Sequence, residues 1–290
     1  KLFSAWMSWL TAGERYKDLF VETLQQVEAS ITGPFFLGDK VTLVDFQFAP
    51  FLERMAASMI YYKGFVMRVP GKTTKYPKLN RWFDAMESLD SYMLTKGDYY
   101  CHCWDLPPQL GGCVAEPAGE RYQAAIDGER SLDGRQGSWE LPLQPHNGGV
   151  EPDWSNDDAA ARREAVERVS ANHESIVKFA ARGAGRKGFP GVSAPLADPN
   201  ATPNDAVKVG VSATMRTVCL AMLEGSTEMQ TMNKISKQIK DGGADYARGT
   251  VDSLVYVRDR VGVPRDMKLP AARQLRAHLN WAISTILDAQ

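Results

Sequence analysis

The sequence predicts an all-α protein in three parts: a helical domain over residues 1–100, a long irregular linker over 101–154, and a second helical bundle over 155–290. Three observations carry this. Apolar residues recur at three-and-four spacing through both ends of the chain, as they do on helices with one buried stripe. Helix-start signals, a Thr-Leu-Val-Asp box and prolines ahead of apolar runs, stand where those patterns begin. Between the two ends, glycine and proline are too dense for regular structure.

The elements follow in chain order. Trp6, Trp9 and Leu10 close a short apolar helix. Tyr16, Leu19, Phe20, Thr23, Leu24, Val27 and Ile31 then mark a helix that Gly33-Pro34 ends, since proline has no N–H to continue the ladder. Thr42-Leu43-Val44-Asp45 is a capping box with Asp in place of the commoner Glu, and Val41 facing Phe46 is the accompanying staple. From Leu43 to Met55 the helix is apolar most of the way round, so it is expected at the core, with Pro50 bending it or leaving a carbonyl unpaired. Pro77 opens the next helix.

Breakers from Pro107-Pro108 to Pro152 make the middle irregular, with one short helix near Glu120 to Ile126. Trp104, Tyr122, Trp139 and leucines punctuate it, so an ordered, wrapping segment is expected rather than a disordered one. Ser155 or Asn156 then caps one long helix through Ala181. Thr202-Pro203 opens a second that runs to Gly225. Met229–Ile239 and Tyr246–Val261 follow, and Pro270 opens the last. Short connections between amphipathic helices describe a bundle.

Composition bounds the function. The 290 residues, 44% apolar, suffice for two domains. A net charge of −1 and the lack of RNA-binding motifs argue against nucleic acid, and no apolar run is long enough to suggest a membrane span. Four cysteines suit a reducing intracellular compartment. A start at Lys1 is read as a chain truncated or processed upstream.

Pro-Phe-Phe-Leu-Gly-Asp-Lys, the Thr-Leu-Val-Asp box, Phe-Ala-Pro-Phe-Leu-Glu-Arg and Tyr-Pro-Lys-Leu-x-x-Trp, in that order, resemble the C-terminal all-helical domain of glutathione S-transferases over residues 1–100. PFFLGDKVTLVDFQFAPFLERM is most similar to the omega and lambda classes. The resemblance implies a helical fold in which Thr42 and Asp45 serve folding. It places glutathione binding and the catalytic residue in a thioredoxin-like domain that this chain does not supply. No cofactor is therefore expected, and glutathione enters only if such a domain lies upstream of Lys1. The segment VRDRVGVPRDMKLPAARQLRAHLNW is similar to an extension carried by transferase-like proteins of plants and algae, which implies the cytoplasm or the plastid stroma.

The candidate residues are few. Cys101, Cys103 and Cys113, with His102 and His146, offer thiol and imidazole ligands, but C-x-C is tight for one tetrahedral ion, and packing at the end of the helical domain is the preferred reading, with no metal. Arg258, Arg260, Arg265, Arg273 and Arg276 suit docking of an anionic partner; a solvated face with Arg–Asp pairs across the Gly262–Met267 turn is the plainer alternative. By the resemblance, Trp6, Trp9 and Tyr16 line a substrate pocket or an interface, and they are expected as an exposed apolar patch. His173 and His278 lie on apolar helix faces and read as core histidines. The expected function is a binding or scaffolding subunit of a larger assembly with a protein partner. The alternative is a glutathione or thiol transferase whose catalytic domain lies upstream.

Overall fold

The computed structural model describes residues 1–68, 75–152 and 157–289. Among these residues the regular structure is helical, and β pairing is confined to the isolated bridges Phe35–Gly38 and Arg186–Thr202. The chain divides into two compact units. The first holds the described residues of Lys1–Ser138 together with His146–Pro152; the second holds Trp139–Pro145 and the described residues from 157 onward.

In the first unit, helices α1 (Leu2–Ala12), α2 (Lys17–Ser30), α3 (Leu43–Lys63) and α4 (Pro77–Glu87) arise where the sequence signals place them. α1 packs on α2 and α3, and α2 on α4. Phe20, Leu24 and Ile31 of the second stripe are buried, and Trp9, Phe20 and Phe65 meet with ring centroids 5.5–5.6 Å apart. The capping box forms at the start of α3, and Asp45 extends it. One carboxylate oxygen accepts the Thr42 N–H at 2.8 Å and its hydroxyl at 2.9 Å. The other accepts the Phe36 N–H at 2.8 Å and the Trp82 indole N–H at 2.9 Å.

α3 is longer than expected, and its burial is uneven. At 21 residues it spans about 31 Å, whereas α1, which packs on it, has 11 residues. Only part of it is enclosed. Leu52 and nearly every residue on to Lys63 are buried, while Leu43, Phe46 and Phe51 at the other end are exposed, so it is a core helix over its second half alone.

After α5 (Asp90–Met93), the stretch expected to be irregular is partly helical: α6 (Tyr99–Leu110) runs into it, followed by the expected short helix α7 (Glu120–Ile126) and by α8 (His146–Gly149). α6 and α7 pack on α3. Pro107 and Pro108 sit inside α6 rather than ending it at once. Pro107 leaves the Cys103 carbonyl without its usual helical donor, and the Tyr62 hydroxyl supplies one at 2.7 Å. Helix thus continues where composition alone argued against it. Asp127 pins the far end, accepting from Tyr61 Oη at 2.7 Å and Trp104 Nε1 at 2.8 Å.

The second unit is built on α9 (Asp158–Ala171), α10 (His173–Ala180), α11 (Lys208–Glu224), α12 (Gln230–Asp241), α13 (Ala244–Arg258) and α14 (Leu269–Asp288). The expected caps Ser155 and Asn156 lie outside the described residues; Asp157 caps α9, its side chain accepting the Ala160 N–H at 2.8 Å. The long helix expected here breaks at Asn172, whose side chain turns back to the Arg168 carbonyl at 3.2 Å. α9 packs on α14 and α11, α10 on α13 and α11, so the break redirects the chain to new neighbours. α14 contacts α9, α11, α12 and α13 and is the centre of the unit. Asp205–Glu224 is long and apolar enough to cross a membrane, at a mean hydropathy of 1.4, although Lys208, Ser212, Thr214, Arg216 and Thr217 interrupt it in the sequence. It is 56% buried among these helices, the setting of a core helix.

Asp45 is one determinant of the acid stability of the first unit. Burial alone raises a carboxyl pKa, but the donors from Phe36, Thr42 and Trp82 outweigh it and hold this one below the ordinary value. Its stabilising contribution is present above roughly pH 4 and is lost as pH falls toward its lowered pKa. Asp45→Asn is expected to cost about 2–4 kcal/mol at neutral pH, because buried donors lose their acceptor. Guanidinium unfolding should show this loss and a shallower decline in stability on acidification than in the parent chain.

Candidate functional site

The aromatic residues expected at a pocket or interface are mostly core. Trp6 and Trp9 are each 1% exposed. Trp6 Nε1 donates to Ser58 Oγ and Trp9 Nε1 to Glu116 Oε1, both at 2.9 Å. α2 and α3 close over α1, so these side chains form no exposed patch. Tyr16 is half-buried beneath the Arg15 guanidinium, 4.9 Å from its ring centre.

The cysteines do not converge. Among the described residues no three His, Cys, Asp or Glu side chains gather as a metal site. Cys103 is fully buried, its Sγ 3.3 Å from the Ala57 carbonyl, and burial pushes its thiol well up. Burial likewise raises Cys113 to about 11 and raises Cys219. Cys101 occupies the first turn of α6, its N–H bonded to Asp98 at 2.9 Å. His278 is buried with Nδ1 2.7 Å from the Gln274 carbonyl, and burial lowers its pKa. Half-buried His173 lies 2.9 Å from Ser212 Oγ.

The arginine cluster separates into two groups. Arg258, Arg273 and Arg276 hold the segment Trp139–Pro145. Arg276 lies 4.8 Å and Arg258 5.9 Å from the centre of the Trp139 ring. Arg276 also donates to the Val261 carbonyl at 2.8 Å, and Arg273 donates to the Gln144 carbonyl. Arg258 bonds Asn280 Oδ1 at 2.7 Å, and Asn280 Nδ2 in turn reaches the Trp139 carbonyl at 3.0 Å. Arg273 and Arg276 are 6% and 1% exposed, so they are structural clamps rather than docking groups. The physical reason is the central place of α14, whose polar face is covered as well as its apolar one.

Arg260 and Arg265 instead reach a cleft of about 710 Å³ in the second unit. Its floor is apolar, formed by Val169, Ile176, Phe179, Met215, Val257 and Leu275. Arg168, Lys178 and Arg182 join Arg260 and Arg265 on its walls. Five cations thus stand against one carboxylate, Asp266. Asp266 is already engaged, accepting from Arg265 at 2.8 and 2.9 Å and from the Gly262 N–H at 2.7 Å. Arg265 and Asp266 thus pair as chain neighbours within this turn. The sequence did not point to Arg168, Lys178 and Arg182, because the Asn172 break removes any common helical register. Two buried ionic groups were equally hidden: Lys63 with Glu116 at 3.0 Å, and Glu87 with Arg68 and Lys96.

Residues 11–85 match the family described as "Glutathione S-transferase, C-terminal domain". This stretch carries the α2–α4 framework and the Asp45 box, and it covers under a third of the 290 residues. No curated protein matches the chain.

The clamp yields a prediction. Arg276→Met is expected to lower stability by about 2 kcal/mol, since it removes both the cation at Trp139 and the donor to Val261. Amide exchange should accelerate across Trp139–Pro145 while far-UV circular dichroism stays unchanged.

Proposed function

We propose that the chain works by binding, as a glutathione-transferase-like scaffolding subunit of a larger assembly, rather than by chemistry of its own. One observation carries this reading: the Cys103, Cys113 and Cys219 thiols are held up by burial. A cysteine nucleophile of this chain would need an electropositive, accessible setting that lowers its pKa, and these three thiols lack it. The helical units support the same reading. Among the described residues there is no strand, and a thioredoxin-like glutathione site is built on a sheet. The partner is a protein, and the setting is the cytoplasm or the plastid stroma.

A second reading rests on the family match at residues 11–85: a glutathione or thiol transferase whose catalytic domain lies upstream of Lys1. The residues encoded before Lys1 distinguish the two. Strand–helix alternation with a Cys or Ser at a helix start favours the enzyme.

Calorimetric titration of the 290-residue chain with glutathione is expected to give no heat, alongside a mass by light scattering above that of a monomer. Site-resolved alkylation with iodoacetamide at neutral pH should leave Cys103 and Cys113 unlabelled until the chain is unfolded. Glutathione binding, or rapid labelling of either thiol in the folded protein, would overturn the scaffolding reading.

A further inference from the structure

We infer that the cleft of the second unit is a binding site for an amphipathic anion, an acid head group on an aliphatic body. This goes beyond the scaffolding reading and stands without it, since the two rest on different residues.

The charge pattern selects the head group. Of the five cations on the cleft, Arg168 and Lys178 are exposed and have no ion pair among the described residues. Arg182 stacks on Phe179, 5.5 Å from the ring centre. Arg260 lies 3.6 Å from the centre of the Tyr256 ring and donates to the Leu196 carbonyl at 3.1 Å. Its position is fixed before any ligand arrives, which spares the ordering entropy of a long side chain. Asp266, the one carboxylate lining the cleft, is satisfied by Arg265 and Gly262, and Arg260 also faces Asp198 at 3.9 Å, so Arg168, Lys178 and Arg182 are the cations left for an incoming anion. Guanidinium forks and an ammonium suit a carboxylate or a phosphate, and they reject a cation.

The floor selects the body. Val169, Met215, Val257 and Leu275 are buried, with half-buried Ile176 and Phe179 completing an apolar surface. A sugar or a nucleotide would leave its hydroxyls unpaired there, whereas an alkyl chain would cover the half-buried faces of Ile176 and Phe179 and bury its own apolar surface. The volume, about 710 Å³, lies within the range of small-molecule sites. A second depression of about 830 Å³, beside α11, sets Arg216 against Glu174 and shows no comparable charge preference.

The test is calorimetric titration of the whole chain, below micelle-forming concentrations. The probes are straight-chain acids from octanoate to dodecanoate, with dodecyl phosphate, dodecanol and acetate beside them. Dodecanoate or dodecyl phosphate is expected to bind, and whichever binds tighter identifies the head group. Affinity should rise by up to about fourfold for each added methylene while the chain still reaches the floor. Acetate should give no heat, and dodecanol should bind roughly tenfold more weakly than the anions. The double variant Arg168→Glu/Lys178→Glu alters two exposed side chains and should fold normally by circular dichroism. It is expected to weaken dodecanoate or dodecyl phosphate by roughly tenfold and to leave dodecanol unchanged. The inference falls if neither anion binds, if dodecanol binds as tightly as the anions, or if the double variant binds them as the parent does.

Discussion

The first unit depends on one buried carboxylate. Asp45 caps its own helix, ties the loop before it through Phe36, and reaches α4 through Trp82. Removing a charge from water is costly, and it is tolerated here because four donors from three residues, Phe36, Thr42 and Trp82, converge on two oxygens. Their convergence also ties α3 and α4 to the loop before α3, where Phe36, Phe48 and Trp82 pack ring to ring. A local helix-start signal is thereby the junction of a tertiary fold.

A related economy appears wherever the first unit buries polar groups. Lys63 at the end of α3 meets Glu116, and the same carboxylate takes the Trp9 indole. The Tyr62 hydroxyl fills the gap that Pro107 leaves in α6. Such bonds give the breaker-rich stretch after residue 100 a defined place against α3. Each is satisfied from a distant part of the chain, so the segment stays ordered without a long helix of its own.

The second unit solves a different problem. Its central helix carries Arg273 and Arg276 with their charges enclosed, and the segment Trp139–Pro145 provides the carbonyls and the indole face that make this acceptable. Arginines that look alike along the sequence consequently serve opposite ends: some close the interior, and others remain at the mouth of a cleft. The break at Asn172 contributes lining from both of its sides, with Val169 before it and Ile176 after.

Much of this was legible from residues alone. The spacing of Phe20, Leu24 and Ile31, the Thr42–Asp45 box, Pro77, Gly225 and Pro270 marked helices and their limits, because capping and periodicity are properties of a few consecutive residues. Family resemblance was readable for the same reason, in short ordered motifs over the first helices. What the sequence by itself determined is therefore local: an all-helical chain, several of its helix starts and stops, and which stripes are apolar. Only the tertiary structure decided that Trp6 and Trp9 are enclosed, that Pro107 can sit inside a helix, that Arg276 is buried while Arg265 is not, and that Arg168 and Lys178 share a cleft with Arg260. Burial and electrostatic partnership depend on which distant segments pack together, and the period of a single helix carries no record of its neighbours.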